Sequence, residues 1–360
     1  MFQHIQQWYR NKFSDPNAVT LFLLLIVSVL LIVFFGGILA PILAAIALAY
    51  LLDWPVNRLI DAGMGRLAAT IIVMSLTICI ATLCLFTLVP VVWQQSTTLI
   101  RELPDMLANL QVWLHKLPEL FPSVIDESQI TELMLTVKRR VVGLGEQILT
   151  SSLTSLVNVM AMLVYLIVVP LLVFFMLKDR NTLLAHFSRI LPTNRRLITQ
   201  VGQEMNLQIM NYIRGKALEV IVVAVTSFAV FFAFDLRYTT LLSILVGLSV
   251  LIPYIGAVVV TIPVALVALF QFGATGPFIY VMIGYLIIQA LDGNVLVPLL
   301  FSEAVSLNPV YIIAAVLIFG GIWGFWGVFF AIPLASLVKA VITAWSSREA
   351  LIEKSSPAEE

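Results

Sequence analysis

Gln289-Ala290-Leu291-Asp292-Gly293-Asn294-Val295-Leu296-Val297-Pro298 sits inside an apolar run that extends from Pro277 to Phe301. Between residues 239 and 338 only two side chains carry charge, Asp292 and Glu303, and no Lys or Arg falls in that window. A carboxylate in lipid-length apolar sequence costs at least ~2.5 kcal/mol on insertion scales, and such residues mark pathways or relays. Gly293 beside it and Pro298 further on predict a break in the helix. A broken helix frees backbone groups, which must line a cavity or be buried in protein.

The surrounding composition fixes the solvent. The chain is 61% hydrophobic and 11% charged, whereas a soluble chain carries about 25% charged residues. The apolar runs are continuous rather than alternating. The fold class is therefore an all-α polytopic membrane protein with the lipid bilayer as its partner. Formal net charge is +0, which gives no case for nucleic acid. The first apolar run follows a polar start without a small-residue cleavage site, so no cleavable signal peptide is expected. Cys79 and Cys84 lie in one apolar helix and are expected to pack. Three scattered histidines give no metal-ligand spacing, and no Walker lysine loop or Gly-rich dinucleotide turn is present. No cofactor, metal or catalytic constellation is expected, and the chain does not read as an enzyme.

Residues 1–18 read as an interfacial segment and 19–93 as the first three membrane spans. Runs 19–35 and 38–52 are nearly continuous, so they form a tight hairpin or one bent element, ended by Asp53-Trp54-Pro55. Residues 94–150 are charged enough to be aqueous and carry two amphipathic stripes, Leu99, Leu103, Met106, Leu110, Trp113, Leu117 and then Ile130, Leu133, Val137, Val141, Leu144, Ile148. They predict a small extramembrane helical cap, buried on its own apolar face or offered to a partner. A fourth span over 151–177 precedes a loop, 178–216, with seven basic residues: Lys178, Arg180, Arg189, Arg195, Arg196, Arg214 and Lys216. The positive-inside rule makes this loop cytoplasmic. Both termini are then expected inside and 94–150 outside.

Residues 217–345 read as a transport core. Leu251-Ile252-Pro253-Tyr254-Ile255-Gly256-Ala257, followed by Ile262-Pro263-Val264-Ala265, is echoed by Gly324-Phe325-Trp326-Gly327-Val328, followed by Ile332-Pro333-Leu334-Ala335. Each copy predicts a hairpin of discontinuous helices, over 239–270 and 309–345. The single span 277–301 separates them, so the hairpins enter from opposite faces, an inverted repeat. About eight membrane elements result, and residues 346–360 form a cytoplasmic tail.

Asp292 has two readings: a cap for backbone N–H groups at the break, shared with Asn294, or a proton or cation site with Gln289 one turn earlier. Glu303 reads as an interfacial carboxylate or as a second ion group. Pro253, Tyr254, Gly256, Gly293, Pro298, Gly324, Gly327 and Pro333 shape the breaks, where bared backbone binds substrate or small residues allow close packing. Trp323 and Trp326 read as interfacial anchors or as stacking platforms for substrate. Arg214 and Lys216, with Glu219 beyond, are expected to snorkel to the inner headgroups; a gating ion pair with Glu303 is the alternative.

Asn211-Tyr212-Ile213-Arg214-Gly215-Lys216, 250–257, 289–298, Phe301-Ser302-Glu303-Ala304-Val305-Ser306-Leu307-Asn308-Pro309 and 319–335 together resemble the autoinducer-2 exporter family of bacterial membrane proteins, and within it an enterobacterial permease branch. The resemblance spans essentially the whole chain. It implies a homo-oligomeric inner-membrane carrier with a small-molecule substrate, either a signal such as autoinducer-2 or sodium or protons in exchange. A non-transporting scaffold that recruits partners through 94–150 is the alternative from another class.

Overall fold

The computed structural model describes residues 16–114, 156–190, 196–301 and 308–339, with five isolated positions between 132 and 143. Among the described residues the chain is helical throughout and has no strand. Six helices among the described residues are long and apolar enough to cross a bilayer, and the shorter apolar helices Tyr165–Lys178 and Thr239–Ser249 add to them.

The N-terminal half is built from two unusually long helices. α1 runs Pro16–Asp61 and α2 Arg66–Leu114, 46 and 49 residues. At about 1.5 Å per residue each is about 70 Å long, roughly twice a hydrocarbon core. The pair of runs at 19–52 is thus one element. Gly36-Gly37, Pro41 and Pro55 are all carried within it, so Asp53-Trp54-Pro55 does not end it. The stop comes at Gly63, whose φ of 94° admits a left-handed cap. There Gly63 N–H donates to Ile60 and Met64 N–H to Leu59, a Schellman closure. The expected cytoplasmic N-terminus rested on a turn that this helix does not make.

α2 likewise passes the predicted boundary at residue 93. Pro90 and Pro104 are absorbed within it. Cys79 and Cys84 are exposed on it rather than packed. The second stripe, from Ile130, lies outside the described residues.

α3 (Leu156–Lys178), α4 (Arg180–Ile190) and α5 (Arg196–Ala233) follow. The basic loop at 178–216 is therefore largely helical, and α5 continues from it into the fifth span. Then come α6 (Thr239–Ser249), α7 (Ile255–Phe272), α8 (Gly276–Leu291), a π-helical turn Asp292–Leu296, α9 (Val297–Phe301), α10 (Pro309–Phe329) and α11 over 331–339.

The chain divides into two compact units. One comprises Met1–Met74, Ile167–Ala217 and Leu299–Glu360, the other Ser75–Leu166 and Leu218–Pro298. In the first, Ala45, Val56, Ala69, Val73, Val173 and Leu177 form a core. In the second, Met106, Val223, Phe231, Leu242, Val264, Val281, Tyr285 and Ile288 do so, with Leu99 packed on it. Met106 and Leu99 of the first amphipathic stripe thus pack within their own chain.

Polar groups fasten that stripe. Glu102 accepts hydrogen bonds from Arg237 Nη2 and Tyr238 Oη, both at 2.8 Å, and Gln95 accepts the Leu241 N–H at the start of α6, also at 2.8 Å. Burial pushes the Tyr238 phenol up to about 12, and its bond to Glu102 adds to this while Arg237 opposes it. The folded state therefore holds this proton more tightly than the unfolded chain. The resulting stability is complete below pH 10 and is lost as pH rises towards 12. Tyr238→Phe is expected to cost about 1 kcal/mol at neutral pH and to remove one late-ionising tyrosine from an ultraviolet titration.

Candidate functional site

The helix carrying Asp292 does not break; it widens. Residues 292–296 form a π turn, and the Val297 N–H donates to the Asp292 carbonyl, five residues back. The cause lies one residue on. Pro298 has no N–H, and in an α-helix its ring would strike the carbonyl of Asn294. An extra residue in the turn removes that clash. π turns inside α-helices are frequent at functional sites.

Val281, Tyr285, Ile288 and Asp292 are all buried, at spacings of four, three and four. They form one inward stripe, and the carboxylate is its last member. Asp292 retains 9% exposure although it lies in a span of lipid length. Gln289 stands beside it with its Nε2 buried and without a hydrogen-bond partner. Asn294 does not join them. It is exposed, and its Nδ2 donates to the Ala290 carbonyl at 2.8 Å. Gly293 and Pro298 are exposed, and Glu303 lies outside the described residues.

Tyr285, which nothing in the sequence singles out, and Glu219 on α5 add to the buried polar groups of this core. Tyr285 is fully buried, and its hydroxyl lies 2.9 Å from Thr261 Oγ1 and donates to the Ala257 carbonyl at 3.1 Å. It therefore ties α8 to α7. Glu219, expected to snorkel, is buried at 1% exposure on a stripe with Val223, Ser227 and Phe231. The Phe231 and Tyr285 rings stack 6.4 Å apart. Two buried carboxylates thus stand on stripes that share one core. A tyrosine hydroxyl is invisible to a search for charges. Glu219 hides among the basic residues that precede it. Tyr285→Phe is expected to cost about 1 kcal/mol by removing the bond between α8 and α7, while Thr261 Oγ1 still donates to the Ala257 carbonyl; the loss is read as a lower thermal midpoint of the purified protein.

Both predicted breaks are present. Between α6 and α7, Tyr254 is held at φ 62°, ψ −50°. A Cβ at Gly256 would overlap the Ser249 carbonyl oxygen. In α10, Gly324 leaves helical geometry at φ 60°, ψ −136°, and a Cβ at Gly327 would overlap the Phe319 carbonyl oxygen. In each copy a positive-φ residue turns the chain, and a glycine two or three residues later closes against the carbonyl of the preceding helix. Pro253 is partly exposed at the first break, and Pro333 is buried within α11. The ring of Trp323 fills the notch at Gly36. Lys216 is buried, with Nζ 5.3 Å from the centre of the Phe301 ring, and does not snorkel. Arg214 is partly buried.

Lipid-length apolar helices, two helix interruptions and a carboxylate on an inward stripe fit a membrane transport protein. The comparisons agree. A model of the AI-2E family transporters matches residues 21–347. The chain is 52% identical over 345 residues to PerM of Escherichia coli (strain K12), a protein named as a permease, covering 96% of this chain and 98% of that one. YueF of Bacillus subtilis (strain 168), named as a transport protein, is 26% identical and covers 91% of each chain. TqsA of Escherichia coli (strain K12), named as an AI-2 transport protein, is 23% identical over 86% of each. The protein belongs to the AI-2E transporter family.

Proposed function

We propose that this protein is a secondary carrier of the bacterial inner membrane that exports a small polar metabolite in exchange for, or gated by, a proton or sodium ion at Asp292. The observation that carries the reading is the position of that carboxylate. It ends a buried stripe, at a π turn, within a span of lipid length. Gln289 is the neighbouring ligand and Glu219 the second acid of the core. The substrate class comes from TqsA, whose name is AI-2 transport.

The two hairpins are the moving parts, entering from opposite faces around the span 277–301, with the C-terminus cytoplasmic and the protein a homo-oligomer. Bared backbone at the tips faces the substrate. The test is flux in proteoliposomes loaded with autoinducer-2 and related polyhydroxylated metabolites, with and without a proton or sodium gradient. Gradient-dependent efflux of at least one of them is expected. Flux that ignores both gradients removes the ion coupling, and no flux of any candidate removes the carrier.

A further inference from the structure

In the first unit a second polar cluster lies apart from the residues assigned above. Asp53 on α1 is 6% exposed. Its Oδ2 pairs with Arg180 Nη1 at 3.3 Å and accepts Asn57 Nδ2 at 3.0 Å, while its Oδ1 is buried and accepts no hydrogen bond. Arg214 stands close enough for the charges of Asp53 and Arg180 to act on it, and its Nε is buried and donates to nothing. Three residues before Arg180, the Leu177 carbonyl accepts Arg66 Nε at 2.8 Å, while Arg66 Nη2 is buried and donates to nothing. Nearby Asp179 is held by Lys178 at 3.8 Å.

Each such buried atom costs about 1–3 kcal/mol, more when charged. Asp53 is already paired with Arg180, so the surplus charge is positive. A ligand that satisfies Asp53 and Arg214 must accept from the guanidinium and donate to the carboxylate. A bare phosphodiester fails the second demand, and a neutral polyol fails the charge. A phosphorylated polyol meets both: phosphate oxygens take Arg214, and a hydroxyl donates to Asp53 Oδ1. Arg is the residue suited to such phosphate recognition. Trp54, next to Asp53, is 54% exposed and carries Arg58 over its ring at 5.4 Å. Exposed tryptophans and basic pockets between spans mark the headgroup level of a bilayer.

We propose that Asp53, Arg180 and Arg214 form a binding site for a phosphoglycerol group, carried by an anionic phospholipid or by a soluble phosphorylated polyol. The experiment is native mass spectrometry of the full-length protein in neutral detergent, with phosphatidylglycerol, phosphatidylmethanol or phosphatidylcholine added. Phosphatidylglycerol is expected to bind at least about tenfold more tightly than phosphatidylcholine. Arg214→Gln is expected to remove most of that preference. Asp53→Asn keeps the phosphate contacts and weakens the preference for phosphatidylglycerol over phosphatidylmethanol, which has no hydroxyls; it serves also if Arg214→Gln does not fold. Competition by free glycerol phosphate assigns the soluble source, and its failure to compete assigns the lipid. Equal binding of phosphatidylglycerol and phosphatidylcholine overturns the site, as does wild-type preference in both variants.

Discussion

Alanine at Gly256 or at Gly327 is expected to abolish the folded hairpin. At each position the new methyl group falls on a backbone carbonyl oxygen, of Ser249 or of Phe319. Overpacking a core costs about 1–3 kcal/mol when side chains can give way. A backbone carbonyl cannot, so the loss should exceed that range. Purified Gly256→Ala is expected to elute as aggregate, or to melt many degrees below wild type. Gly293→Ala is the control. No atom lies within 4 Å of its Cβ position, and replacing a helical glycine gains about 0.5–1 kcal/mol. A wild-type melt for Gly256→Ala would show that the tips are looser than described.

The second large effect is on flux. Asp292→Asn is isosteric and removes a charge from a span. On insertion scales that charge costs about 2.5–3.5 kcal/mol, so the variant is expected to be at least as stable as wild type. If Asp292 is the ion site, gradient-driven flux falls at least about a hundredfold, equivalent to ~2.7 kcal/mol. The two readouts together separate the possibilities. A merely structural aspartate loses stability and keeps its flux in proportion to folded protein. An ion site keeps stability and loses flux. Wild-type flux from Asp292→Asn sinks the assignment.

The class was legible in the residues because lipid imposes so few options. Continuous apolar runs permit only helices, and two charges in a hundred residues name their own candidates. The breaks at Tyr254 and Gly324 were visible through the repeated Gly, Pro and aromatic residues around them. What failed was punctuation. Gly36-Gly37, Pro41 and Pro55 read as boundaries, yet all lie inside one long helix. In lipid the alternative to a helix is an unsatisfied backbone, so such residues bend or decorate a helix that water would have ended. Pro298 shows the same physics on a smaller scale, widening its turn rather than stopping it. Burial of Lys216 and Glu219 was illegible for another reason. Both sit at the end of a basic run, and only the packed neighbours reveal which charges turn inward.

Tyr254 has one more consequence. A tyrosine at φ 62°, ψ −50° sits outside the regions that side chains favour, at a cost of order 1–3 kcal/mol. That energy is returned in any state where the residue relaxes. Each ~1.4 kcal/mol returned multiplies the population of that state about tenfold. The first tip therefore carries its strain at Tyr254, held in place by the close approach of Gly256 to the Ser249 carbonyl.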